Sequence, residues 1–107
     1  MYHTISLTAK VGSLAADPDL GVRLLEELER LEAAGVIAAP VTAQGMRDGT
    51  VSATVCVDGA ASAMDALRQA QDAFASALLA ATGGTVRQPV YSEIRVVEER
   101  EEAATIA

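Results

Sequence analysis

Val41-Thr42-Ala43-Gln44-Gly45-Met46-Arg47-Asp48-Gly49-Thr50-Val51-Ser52-Ala53-Thr54-Val55-Cys56-Val57-Asp58 is two alternating runs on either side of a turn. After the turn, Val51, Ala53, Val55 and Val57 fall on one face and Thr50, Ser52, Thr54 and Cys56 on the other. Period two is the signature of a half-buried strand. Before the turn, Val41, Ala43 and Gly45 alternate with Thr42, Gln44 and Met46, in a strand region spanning 36–46. Pro40 has no N–H to give to a ladder, which predicts an edge strand. A two-residue loop, Asp48-Gly49, would set Thr42 against Val55 and Gln44 against Ala53. A three-residue loop, Arg47-Asp48-Gly49, sets Val41 against Val55, Ala43 against Ala53 and Thr42 against Thr54. Only the second agrees with both alternations, and it gives Gly49 the left-handed position such loops need.

Outward from this hairpin, the chain repeats a strand–helix pattern. Ile5, Leu7, Ala9 and Val11 alternate with Thr4, Ser6, Thr8 and Lys10, which predicts a first strand. Asp17-Pro18 predicts a helix start, with Asp17 as cap and Pro18 in the first turn. Leu20, Leu24, Leu25, Leu28 and Leu31 make one apolar stripe, and Gly35 ends it. Ser62-Ala63-Met64-Asp65 opens a second helix in the manner of a capping box. Its stripe is Leu67, Ala70, Phe74, Ala77, Leu78 and Ala81, and Gly83-Gly84 ends it. In the last strand, 90–97, the alternation points Val90, Ser92, Ile94 and Val96 inward and Tyr91, Glu93, Arg95 and Val97 outward.

The order β-α-β-β-α-β predicts an α+β sandwich: a four-stranded antiparallel sheet, strand order 4-1-3-2, with two helices on one face. This pattern resembles the ferredoxin-like, split β-α-β fold, a resemblance of architecture that implies nothing about iron. With its Ala-rich second helix and acidic tail, the chain also resembles small accessory domains of unassigned role from GC-rich bacteria and their phages. Residues 1–97 form a single domain on this reading, and 98–107 an acidic tail.

Composition narrows the function classes. The 107 residues suit one domain, and 50% hydrophobic content is enough for a packed core. Eight basic against fifteen acidic residues give a net charge of -7, with the basic residues scattered, so nucleic acid is not an expected partner. No apolar run approaches the roughly 20 residues that span a bilayer, and the N-terminus carries no secretory pattern. A cytoplasmic setting without a membrane partner is the expectation. Cys56 is the only cysteine and His3 the only histidine, so paired-cysteine and multi-histidine metal sites are excluded. No phosphate-binding glycine loop, zinc-protease motif or nucleophile elbow is present. We expect no cofactor, no metal and no catalytic residue. His3 reads as a solvated residue at the strand end.

The informative feature is the sheet face away from the helices. Thr4, Ser6 and Thr8 should lie beside Ser52, Thr54 and Cys56, flanked by Thr42, Gln44 and Met46 on one side and Tyr91, Glu93, Arg95 and Val97 on the other. Its centre carries hydroxyls and a thiol where a wet face more often carries Lys and Glu. It also lacks the aromatic platform by which RNA-binding versions of this architecture stack bases. Three readings fit: a wet face of good strand formers, a face covered by a second subunit, and a small-ligand site. The functional expectation is a non-enzymatic protein-interaction or regulatory module. It should self-associate through its sheet as a homodimer or higher homo-oligomer, with a possible further protein partner. The interface would comprise Thr4, Ser6, Thr8, Thr42, Ser52, Thr54, Cys56, Tyr91, Glu93 and Arg95. The alternative is a small dimeric α+β-barrel-type enzyme, monooxygenase- or isomerase-like, with a pocket between sheet and helices.

Overall fold

Alternation along Tyr2–Lys10 becomes strand β1, with His3, Ile5, Leu7 and Ala9 buried and Thr4, Ser6 and Thr8 half-buried. The computed structural model describes residues 2–99. After β1 come a 3-10 turn (Gly12–Ala16), α1 (Leu20–Ala33), β2 (Ala38–Gly45), β3 (Thr50–Asp58), α2 (Ala63–Ala81) and β4 (Val90–Glu99). The four strands form one antiparallel sheet in the order β2-β3-β1-β4, which is the expected 4-1-3-2 read from the other edge. The arrangement is compatible with a ferredoxin-like fold. Because β4 runs through Glu99, the strand extends two residues into the segment read as an acidic tail; residues 100–107 of that tail lie outside the described residues.

Both helices pack on the face that carries Ile5, Leu7, Val51, Ala53, Val55 and Val57. Leu20, Leu24 and Leu28 of α1 and Ala66, Ala70, Phe74, Ala77 and Leu78 of α2 complete the core. The alanines keep α2 close to its neighbours, and Phe74 fills the remaining space. Ser62 caps α2, its hydroxyl accepting the Asp65 N–H at 3.1 Å. Gly35 closes α1 at φ +80°, with Val36 N–H on Leu31 O and Gly35 N–H on Glu32 O, the paired bonds of a Schellman stop.

Four expectations need correction. The β2–β3 register is Gly45 opposite Thr50, Gln44 opposite Val51, Thr42 opposite Ala53 and Val41 opposite Thr54. The loop therefore has four residues, not three, and β2 is turned over: Thr42 and Gln44 face the helices while Val41 and Ala43 face away. Polar demand from the backbone outweighs hydrophobic alternation here. The 3-10 turn and the start of α1 leave peptide groups that need partners. Thr42 Oγ1 donates to Gly21 O at 2.9 Å, and Gln44 Oε1 accepts the Gly21 N–H at 3.0 Å. Gln44 Nε2 donates to Ala15 O at 2.7 Å and also to Asp17 O. Gly49 is left-handed, as expected, at φ +69°. The N–H groups of Val11 and Gly12 bond its carbonyl, which pins the turn to the end of β1.

The second correction is in β4. Its register against β1 shifts between Thr8 and Ala9, so Ser92 is the extra residue of a bulge. Glu93, Arg95 and Val97 keep their outward phase, but Tyr91 turns toward α2, its ring centroid 6.0 Å from that of Phe74. Val90 turns out to solvent. Third, His3 is buried at 2% exposure instead of solvated, because it lies on the helix-facing side of β1, opposite Val57 and Glu98. Fourth, α1 starts at Leu20, after a turn in which the Asp17 carboxylate accepts the Asp19 N–H at 2.9 Å and the Arg23 guanidinium at 2.8 Å.

Candidate functional site: the open face of the sheet

With both helices on one side, the other side of the sheet carries no second layer among the described residues. Its centre is built by direct cross-strand pairs of β1 and β3: Thr4 opposite Cys56, Ser6 opposite Thr54 and Thr8 opposite Ser52. The Ser6 and Thr54 hydroxyls are 2.9 Å apart, a hydrogen bond, and Thr4 Oγ1 lies 3.8 Å from the Cys56 sulfur. These six side chains are half-buried among themselves. The Ser6–Thr54 bond, and more weakly the contacts of Thr4 with Cys56 and of Ser52 with Ala43 O, meet part of their hydrogen-bonding capacity within the sheet, which lowers what it costs to remove them from water.

On the β4 flank, Arg95 lies opposite Ser6 and Glu93 opposite Thr8. Their side chains form an exposed ion pair, Nη2 to Oε1, at 3.5 Å. Val97 is 43% exposed on the same face. On the β2 flank the face is completed by Ala43 opposite Ser52 and by Val41 opposite Thr54, with Val41 63% exposed.

Eight of the ten side chains expected on this face are brought together there: Thr4, Ser6, Thr8, Ser52, Thr54, Cys56, Glu93 and Arg95. Thr42 and Tyr91 are not, because the β2 register and the β4 bulge place them on the helix side. There burial, with a smaller contribution from the Asp72 carboxylate, holds the Tyr91 phenol above its usual range. Gln44 is turned inward with Thr42, and Met46 is exposed in the turn. Val41 and Ala43, missed by the sequence reading, replace Thr42 and Gln44. The one available signal was Asp17-Pro18-Asp19, a turn whose peptide groups call for side-chain partners from a neighbouring strand.

Two depressions of about 290 and 280 Å³ adjoin at the Ala38 end of the face and share Ala38, Cys56 and Asp58. Glu32, Gly35, Val36 and Ile37 complete one, and Tyr2 and Ala39 the other. Among the described residues their ionisable lining is a thiol, a phenol and carboxylates, with no Lys, Arg or His to stabilise a thiolate. They flank a strained point: Ala39 is left-handed at φ +50°, where β2 shifts register against β3 between Ala38 and Val41. Among the described residues, no three His, Cys, Asp or Glu side chains gather into a possible metal site, and no helix is long and apolar enough to cross a membrane.

No protein-family model matches the chain, and neither a curated protein nor a solved structure matches it.

Proposed function

We propose that this chain is a non-enzymatic interaction or regulatory module of ferredoxin-like architecture, working in the cytoplasm, that self-associates through the open face of its sheet. The observation that carries this reading is the make-up of that face. Its centre is uncharged and carries the Ser6–Thr54 hydrogen bond, its flanks expose Val41 and Val97, the charged pair nearest the centre, Glu93 and Arg95, is already matched, and Lys10, Asp58 and Glu99 stand only at its ends. Four strands about 4.8 Å apart and about 30 Å long present on the order of 600 Å² per copy, the lower bound for a stable interface between two copies. The enzyme reading calls for a pocket between sheet and helices. That space holds Ile5, Leu7, Phe74 and Leu78, all at most 1% exposed, which favours the interaction reading.

Light scattering at micromolar concentration tests it. The expected mass is a multiple of 11.0 kDa. Thr54→Lys and Ser6→Glu each place a charge at the centre of the face, twice per twofold contact, and should weaken association while the far-ultraviolet spectrum is unchanged. A monomer mass for the unmodified protein overturns the reading.

A further inference from the structure

The two edges of the sheet are not alike. The β2 edge is blunted by Pro40, by the left-handed Ala39 and by the register shift beside them. The β4 edge carries no such device between Glu93 and Glu99, where its register with β1 is unbroken. It is also thinly covered on the helix side. Ile94 points toward the helices yet is 44% exposed. A regular edge with no proline, left-handed residue or bulge and with an exposed Ile94 is a template for strand addition, and the charges along it, Glu93, Arg95, Glu98 and Glu99, restrict which strand it can take.

We infer that β4 pairs antiparallel with β4 of a second copy, about a twofold axis through Ile94 and normal to the sheet. The charges, together with the exposed Ile94, select the occupant and the register. Such an axis keeps the helix side of both copies together, so it must pass through a residue, and side chains that meet come from the same face. An axis at Glu93 sets that carboxylate against its own copy, and one at Arg95 does the same for the guanidinium. An axis at Val96 brings Glu93 to Glu99 and Ile94 to Glu98. An axis at Val97 would also set Arg95 opposite Glu99, but it puts Val96 against Glu98 and leaves Ile94 uncovered. An axis at Ile94 sets Glu93 opposite the second copy's Arg95 and Arg95 opposite its Glu93, on the open face. With the ion pair already present along each strand, four charges then alternate in sign around the axis. On the other face the two exposed Ile94 side chains cover each other. The bulge at Ser92 bounds the ladder to Ser92–Val96.

This rests on the reading that the chain self-associates, but it uses the edge, not the open face. Joined with the face contact, it closes four copies into an assembly with two kinds of twofold contact.

The test is a disulfide across the axis. In a Cys56→Ser, Thr54→Lys background, which removes the native thiol and the face contact, Ile94→Cys should give a covalent dimer under mild oxidation. Directly opposed residues sit about 4.5–5.5 Å apart at Cα, within disulfide reach. Val90→Cys, more exposed but four residues from the axis, should give none. In the Thr54→Lys background, Glu93→Arg and Arg95→Glu should each weaken dimerisation about tenfold, since like charges then oppose twice. Mixing the two variants should restore a dimer of one copy of each. Absence of both the cross-link and the mixed dimer overturns the edge pairing. An unchanged mass for Thr54→Lys alone overturns the open-face reading and leaves the edge pairing to its own result.

Discussion

Gln44 of β2 accepts the backbone N–H of Gly21 at 3.0 Å, and the same amide donates to Ala15 O and Asp17 O. One side chain thus satisfies three peptide groups at the approach to α1. Gly21 is suited to this: a Cβ there would come within 3.2 Å of Gln44 Oε1. Replacing Gln44 with Leu should cost about 2–3 kcal/mol, because part-buried peptide groups lose their partners. Val41→Thr, on the exposed face of the same strand, should change stability by less than about 0.5 kcal/mol. Urea unfolding of the two variants is the check. Equal losses would mean that the amide is replaceable by water.

The same bond marks where sequence patterning stops being a guide. In β1 and β3, at the centre of the sheet, apolar alternation is set by one continuous core, and Ile5, Leu7, Val51 and Val55 fall where period two places them. The edge strands answer to other demands. Thr42 and Gln44 are inside because peptide groups of the turn before α1 need them, and no count of apolar residues carries that information. Tyr91 is inside because an extra residue at Ser92 reverses the phase of β4 beside Phe74. The centre of the open face was therefore legible from alternation alone, while its two flanks depended on a register and a bulge.

Ala39 stands in the left-handed region at φ +50°, with its N–H held by Glu32 Oε2 at 3.1 Å. That conformation costs a residue with a Cβ roughly 1–2 kcal/mol. Glycine avoids that cost but loses about 0.5–1 kcal/mol more chain entropy on folding. Ala39→Gly should therefore stabilise the protein by about 0.5–1 kcal/mol, the difference of these two effects. Ala43→Gly, four residues along the same strand without a positive φ, should destabilise it by a similar amount. Thermal unfolding of both decides the matter: a fall in Tm for Ala39→Gly would show that the strain is not carried there.

His3 is the one buried polar side chain of the core, and among the described residues neither ring nitrogen has a hydrogen-bond partner. Its Nε2 lies 3.8 Å from a Glu98 carboxylate oxygen, beyond hydrogen-bond reach. Among the described residues, a buried imidazole in that position exchanges its bonds to water for no hydrogen bond and keeps only the 3.8 Å contact with Glu98. His3→Leu keeps similar bulk and removes the polar atoms. It should raise stability at neutral pH by about 1–2 kcal/mol. Guanidinium unfolding at pH 7 checks this, and a loss of stability would show that the imidazole is bonded in solution.

Asp17 gives the fold a defined acid dependence. Its carboxylate is held below the usual range, first by the Asp19 N–H and then by the Arg23 guanidinium, whose Nε also donates to Ala81 O at the end of α2. A carboxyl with a lower pKa in the folded than in the unfolded chain is one whose charged form the fold favours. Its contribution is complete above the unfolded carboxylate range, about pH 4, and is lost as pH falls through the lower folded value. Asp17→Asn retains an acceptor for the Asp19 N–H but not the charge facing Arg23. The stability gap between this variant and the parent should be constant from pH 7 to about pH 5 and shrink below about pH 4. Removing the cation with Arg23→Gln should reduce the pH dependence without abolishing it, because the Asp19 N–H still favours the charged carboxylate. A gap between Asp17→Asn and the parent that is independent of pH would show that the turn uses Asp17 for its oxygen alone, and that the link from α1 to the end of α2 does not depend on its charge.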